Sequence, residues 1–568
     1  MFFKVTKSGL RSYVQLVEAF RDEAGQPKQR TIATLGRLDT MGESVKSMHE
    51  GLSRILGIDS AEALCNGMPV FDSSRALGDV WVLTALWKQL GFDGLAKAFR
   101  QHSRHRIPLE ALLRIMVFNR LCDADSKLGV LRWLKTVSLP GLDLKEVTHQ
   151  QLLRTMDALV EHPKVLEEAL VRAVSPMVDS KLSVVFYDMT TIRTEGLSEE
   201  DGELRHYGMA KEGVIARQFM LGLVQTQEGI PLYHEVFEGN TAEVGTLKAS
   251  LQKVMARFAI ERVVAVADRG LLSLHNLEEL QAMRLPNGRP LEFILAVPGR
   301  RYGEFVDLLA PINSEALSSD KEEFIGEQQW QGLRLVVAHN KARAAEQTAA
   351  RDRTITELEA QAEQWVGKLD AQDQGVRTRG RTLSDGGARA RFYHAVAEAH
   401  LRRIIRVDLK SELFAYQIDE QALALARTMD GKLLLVTNVK DLSPEDIVAR
   451  YKSLADIERG FKVLKSEIEI APVHHRLPQR IRAHAMICFM ALILQRVMRA
   501  RLRQNPIKEV QSPERALSIL RRVQTHRVTA STSKTPITGV SHIDDEQLAI
   551  LNVFQVTKPT IAHQYANL

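Results

Sequence analysis

The chain has 568 residues, 45% of them hydrophobic and 26% charged, with a formal net charge of +6. That is too long for one hydrophobic core and has the balance of a folded protein in contact with water, so two to four domains are expected. No run approaches the 18 or so apolar residues of a membrane span, and no secretory signal is evident at the amino terminus, so a cytoplasmic protein is expected.

Three cysteines, Cys65, Cys122 and Cys488, stand far apart in apolar surroundings. Neither a disulfide framework nor a zinc site fits that spacing. The positive charge is unevenly spread. Arginines crowd into "GVRTRGRTLSDGGARARFYH", "HLRRIIRV", "HHRLPQRIRAH" and "RVMRARLR", all in the last third. Such stretches serve equally as solvated faces or as a phosphate-binding surface.

In chain order, "SYVQLVEAFRDEAGQPKQRTIATLGRL" alternates on either side of turn chemistry and predicts a β-hairpin module over 1–70. Helical spacing runs from Leu77 to Leu90, with Gly91 as a stop, and resumes after Pro108 in "LEALLRIMVFNRLCD". Residues 71–178 are therefore expected to be helical, with a DNA-binding or dimerisation role. The pattern then changes. "KLSVVFYDMTTI" reads as a buried strand ending near Asp188, "QFMLGLVQTQEGIPLYHEVFEGN" as a hairpin, and "RVVAVADRG" as a second buried strand with Asp268 at its end. A helix and the strand "LEFILAVPG" complete 179–300. The fold class is α/β with a mixed sheet, in the strand and helix order of a ribonuclease-H-like core.

Residues 301–430 break the pattern. They hold the strand-like "LRLVVAH", a long charged helix and a Gly/Arg-rich stretch expected to be a mobile loop, and they read as an insertion domain. Over 431–500 come the strand "GKLLLVTN" and "SPEDIVARYKSLADIERGFKVLK", where Ser443 suits an N-cap and Pro444 the first helical position. Continued as one helix at about 100° per residue, this stretch puts Tyr451, Leu454, Glu458 and Lys465 on one narrow face. Residues 501–568 are expected to be a basic carboxyl-terminal tail.

A strand-end Asp caps a following helix as often as it binds a ligand, and a helical Glu is usually only solvated. Taken together, Asp188, Asp268 and Glu458 would supply the three hard oxygen ligands that one or two Mg²⁺ ions need for in-line phosphoryl displacement. The adjacent His474 and His475 are weaker metal candidates, and there is no Walker-type loop, so no nucleotide cofactor is expected. Lys211, in the Gly-flanked "YGMAKEG", is a phosphate-contact candidate or a solvated loop residue.

The words "FYDMTT", "AVADRGLLS" and "YKSLADIERGFKVLK", in that order, resemble the catalytic motifs of bacterial DDE-type insertion-sequence transposases. The closest likeness is to the insertion-sequence-4-like group with a Tyr-x2-Arg-x3-Glu-x6-Lys signature, in the branch with a large amino-terminal region. Tyr451, Glu458 and Lys465 match that signature, and Leu454 stands at its Arg position. The resemblance covers about residues 180 to 500. It implies a ribonuclease-H-like catalytic core with an insertion domain before the catalytic Glu, and Asp188, Asp268 and Glu458 as metal ligands for two Mg²⁺ ions, with Mn²⁺ able to substitute. It also implies Tyr451 and Lys465 on the DNA backbone; on the same helical wheel Lys462 borders the Glu face and is the candidate to stand in for the missing Arg, with Arg459 less well placed. The partners implied are double-stranded DNA, as transposon ends and target, and a second copy of the chain. A metal-dependent nuclease of the same fold without joining activity is the alternative enzyme, and a DNA-binding protein that has lost catalysis is the alternative outside enzymes.

Overall fold

The computed structural model describes residues 2–8, 11–21, 27–37, 70–102, 107–142, 147–178, 183–196, 202–209, 215–241, 246–258, 260–267, 274–376, 382–529 and 536–560. The chain divides into two compact units, one built from 1–263, 284–289 and 453–568 and the other from 264–283 and 290–452.

The first unit opens with three antiparallel strands, β1 (Phe2–Ser8), β2 (Arg11–Arg21) and β3 (Pro27–Arg37). The expected hairpin is β2–β3. The strand before it was not expected, because a run of seven residues becomes a strand only when a neighbour offers its edge, here with Val5 opposite Val14. Asp123 of the helical region ties the sheet down, accepting from Arg11 Nη1 at 2.8 Å and from the Tyr13 hydroxyl at 3.3 Å.

After β4 (Val70–Ala76) come α1 (Gly78–Gln89), α2 (Leu109–Cys122), α3 (Lys127–Trp133) and α4 (His149–Glu161), with further helices at Leu95–His102 and Pro163–Val174. Gly91 stops α1 as predicted, with φ at 73°. Helix α2 is buried on nearly every side, which explains its near-continuous apolar sequence.

Strands β5 (Ser183–Arg193), β6 (His206–Met209), β7 (Ile215–Thr226) and β8 (Pro231–Phe237) follow. All pair antiparallel with β7 at their centre, and its residues from Arg217 to Thr226 are accordingly buried. The predicted "TQEG" turn closes through the Ile230 carbonyl, which accepts from the Thr226 amide at 2.9 Å, with Gly229 at φ 81°. Helix α5 (Leu247–Arg257) completes this part.

Strand β9 (Val263–Ala267) leads into the second unit, where it lies parallel to β10 (Glu292–Ala296). Strand β11 (Glu323–Trp330) was not expected, and β12 (Leu333–Asn340), the strand-like "LRLVVAH", was expected in the insertion. Instead β12 pairs with β15 (Lys432–Thr437), which pairs with β10. Between β12 and β15 lies a piece made of α6 (Lys341–Asp373), α7 (Asp385–Glu398), the small strands β13 (Ile405–Val407) and β14 (Tyr416–Ile418) and a helix at Glu420–Met429. It has its own core, with Phe392 wholly buried among Ile355, Leu358 and Phe414. Part of the stretch expected to be a mobile loop is the first turn of α7, because Ser384 accepts the Gly387 amide and caps it.

Helix α8 (Pro444–Lys452) ends the second unit. Ser443 Oγ accepts the Asp446 amide at 3.0 Å and donates to the Asp446 carboxylate at 2.9 Å, the cap predicted for it. The first unit resumes with α9 (Ala455–Ser466), α10 (Pro478–Gln504), α11 (Pro513–Leu520), β16 (Gln524–Thr529), β17 (Ile537–Val540) and α12 (Asp545–Val553). Helix α10 is long and apolar enough to cross a membrane by length and composition, but 89% of its most apolar window is buried inside protein. The carboxyl-terminal segment is no tail. Strand β16 pairs with β4 and with β17, and Gly78 lets α1 approach so closely that a Cβ there would fall 2.2 Å from the Leu520 carbonyl.

Candidate active site

The stretch "FYDMTT" lies in the middle of β5. Its neighbours are buried, and Asp188 is half-buried. Tyr187 and Met189 both reach Thr246: the Tyr187 hydroxyl lies 2.5 Å from Thr246 Oγ1, which in turn lies 3.0 Å from Met189 Sδ. By the two-residue period of a strand, Asp188 points to the opposite side. Its Oδ1 accepts the Met189 amide at 2.7 Å. Sequence reading set Asp188 at the strand's carboxyl end. The strand instead continues to Arg193, because β-branched Thr190, Thr191 and Ile192 pair with Leu221, Met220 and Phe219 of β7.

Helix α9 packs against β5 on the Asp188 side. Register sets Gln225 of β7 opposite Phe186, and Leu223 opposite Asp188; directly opposed residues share a face. Gln225 is wholly buried, and Gly460 of α9 sits so close that a Cβ there would fall 2.6 Å from Gln225 Nε2 and 3.2 Å from Arg496 Nη2. Among the described residues neither amide atom of Gln225 has a hydrogen-bond partner. Along α9, Gly460, Phe461, Val463 and Leu464 are buried, whereas Arg459 and Lys462 are exposed and Lys465 is half-buried. Position 458 falls within about 40° of 462 and 465 on the helical wheel.

The single helix expected from Pro444 to Lys465 does not form. It is broken at Ser453 and Leu454. Serine competes for backbone hydrogen bonds, and Leu454 turns inward to be 8% exposed. Tyr451 therefore belongs to α8 and to the second unit, and the wheel that put it with Glu458 has no continuous backbone behind it. Leu454, at the Arg position of the signature, is a packing residue. Asp268 follows β9 directly in sequence. Asp268, Lys211 and the side chain of Glu458 lie outside the described residues, among which no three His, Cys, Asp or Glu side chains cluster as a metal site.

Sequence reasoning also missed the lock at the end of α9. Gln495 Nε2 of α10 donates to Glu467 Oε2 at 3.1 Å and to Glu514 Oε1 of α11 at 2.9 Å. Burial, then the Glu514 carboxyl, pushes Glu467 up to about 8. Burial opposes the charge on Glu514 too, but its hydrogen bonds to Glu467 and Gln495 outweigh that and hold it below the usual value. The folded protein thus binds a proton that the unfolded chain loses near pH 4.5. This contribution to stability is complete below about pH 4.5 and is lost as pH rises through about 8. Glu467→Gln is expected to flatten the fall of melting temperature between about pH 5 and 9; an unchanged slope in thermal melts would remove the shared proton.

Residues 179–494 match the transposase DDE domain family, and residues 3–63 match the IS1634 family transposase, N-terminal domain. The group named by the amino-terminal match is IS1634. No curated protein matches the chain. Among solved structures, similarity extends to a piggyBac transposase synaptic complex with hairpin DNA, at 7% identity and TM-score 0.39 over 79% of this chain and 80% of that one. It extends also to a Drosophila P element transposase strand transfer complex, at 11% identity and TM-score 0.21 over 78% of this chain and 96% of that one.

Proposed function

This chain belongs to the DDE transposase family, whose domain spans residues 179–494, and on that premise we propose that Asp188, Asp268 and Glu458 are its catalytic carboxylates. The family's reaction is divalent-metal-dependent cleavage and strand transfer of DNA. The observation that carries the assignment is that Asp188 points to the side of the β5–β7 pair on which α9, the helix of Glu458, is packed. The core is read as ribonuclease-H-like, and the signature as the insertion-sequence-4-like one with its Arg replaced.

A set of three carboxylates suits a hard divalent ion, and Asp188, Asp268 and Glu458 would hold Mg²⁺, as one or two ions, with Mn²⁺ as a substitute. When bound, such ions polarise the attacking hydroxyl and stabilise the leaving oxygen of an in-line displacement. Around them the protein's part is positioning. The half-buried Asp188 is held by the Met189 amide. Lys465 and Lys462 lie on the polar side of α9 and would hold DNA phosphates, with Arg459, Tyr451 and Lys211 as further contacts. The DNA taken is the terminal inverted repeats of the element and a target duplex, handled by two copies of the chain.

The test is joining. With purified protein, Mg²⁺ and precleaved repeat ends, covalent end-to-target product is expected; hydrolysis without any joined product would turn the reading to a nuclease of the same fold.

A further inference from the structure

A cavity of about 800 Å³ in the first unit lies between α2, α3, α4 and the segment that connects α9 to α10. Its walls carry buried cations with no carboxylate in ion-pair contact among the described residues, although Glu469 and Asp125 lie near Arg120. The side chain of Lys127, a residue 6% exposed, is in no ion pair among the described residues. Among the described residues Arg120, 4% exposed, bonds neutral acceptors: the carbonyls of Ile468, Glu469 and Asp125 and the amide oxygen of Asn119. His484, 7% exposed, bonds the Ile470 carbonyl through Nε2 at 3.0 Å, and its Nδ1 has no partner among the described residues. The acids nearby are already engaged. Glu469 meets Arg11 at 3.2 Å, Asp125 meets Arg132 at 3.3 Å, and Asp157 takes Arg480 through two bonds of 2.8 Å. The exposed His474 and Arg476 also line the cavity and mark its open side.

Burying one unpaired cation is costly, and burying two beside each other is more so unless an anion completes the site. We propose that this cavity binds a phosphate group carried on DNA. Its place relative to Asp188 supports that source. The Val473 amide donates to the Arg193 carbonyl at 3.0 Å, and the Glu195 amide donates to the Val473 carbonyl at 2.9 Å, so the cavity wall is fastened to the end of β5. Asp188 is five residues upstream on that strand, about 17 Å away at strand rise. That is roughly five steps of a DNA strand at about 3.4 Å each. A DNA strand engaged at Asp188 is thus long enough, within about five steps, to reach the wall segment fastened at Arg193. Burial, with Arg120 beside it, lowers Lys127 to about 7, a shift that a bound anion would reverse.

Two measurements test this on the full-length protein. Inorganic phosphate at constant ionic strength is expected to raise the melting temperature of the wild type and not of Lys127→Met, which should itself melt no lower than the wild type without phosphate. For repeat-end duplex, Lys127→Met is expected to reduce the slope of log K against log salt by about one. Arg476→Gln, at an exposed position that the fold does not need, should weaken DNA binding in the same direction. A phosphate response with no change in DNA binding for either variant would overturn the DNA source in favour of a small free anion. No response in either measurement would overturn the site altogether. The inference rests on DNA as substrate but not on the carboxylate assignment: Asp188→Asn should keep both the phosphate shift and the salt slope.

Discussion

Asp188→Asn and Glu458→Gln are each expected to lower metal-dependent end cleavage by at least ~10³-fold while leaving binding of the repeat ends in place. Both changes keep side-chain size and remove a charge. For Asp188 the fold should hold, because the Met189 amide can still donate to the remaining carbonyl oxygen, and because Tyr187 and Met189 anchor the strand to Thr246 on the opposite face. The measurement is single-turnover cleavage of a labelled end at saturating protein, which separates chemistry from binding. Cleavage within ~10-fold of wild type in either variant would remove that residue from the catalytic set. The sharper reading comes from the pair. Groups that act as one unit give losses that do not add, so the double variant should cleave about as slowly as either single one.

How much of this was legible in the sequence depended on the range of the interaction. "RVVAVADRG" and "GLVQTQEGIPLY" declare a buried strand and a hairpin by themselves, since an unbroken apolar run and a Gly-bearing turn act within a few residues. The break between α8 and α9 was hidden because Ser453 and Leu454 fit a helical period as well as a turn, and only the burial of Leu454 decides. The folded carboxyl-terminal segment was hidden for another reason. Its strand β16 pairs with β4, with Gln524 opposite Ala76, and no local pattern announces a partner so distant along the chain. The cation-lined cavity is of the same kind. Lys127, Arg120 and His484 look like solvated or core residues until three separate segments bring them together. The candidate carboxylates stood out because each follows or interrupts a legible element, although the place of Asp188 within its strand was misjudged. Gly460 gave a signal that went unused: a glycine inside a helix costs ~1 kcal/mol against alanine and calls for a reason.

That reason yields the second large effect. Gly460→Ala should improve the helix by about 1 kcal/mol from propensity alone, yet it is expected to lower cleavage by ~10²-fold, the scale of a displacement of about 1 Å at a catalytic group. The added Cβ would stand 2.6 Å from Nε2 and 2.9 Å from Oε1 of Gln225, with Arg496 Nη2 at 3.2 Å behind. The Gln225 amide, wholly buried, has little room to move, so α9 must lift from the β5–β7 pair and carry position 458 with it. Gln225→Ala removes the obstacle, and because its amide atoms have no hydrogen-bond partner among the described residues, it leaves few bonds unmade. Gly460→Ala in the Gln225→Ala background should therefore recover most of the lost cleavage, a coupling that a double-mutant cycle reads directly. If the two substitutions instead lower cleavage independently, contact between α9 and β7 does not set the position of Glu458. If Gly460→Ala alone cleaves like the wild type, that helix has slack that the close approach of Gly460 to Gln225 does not allow.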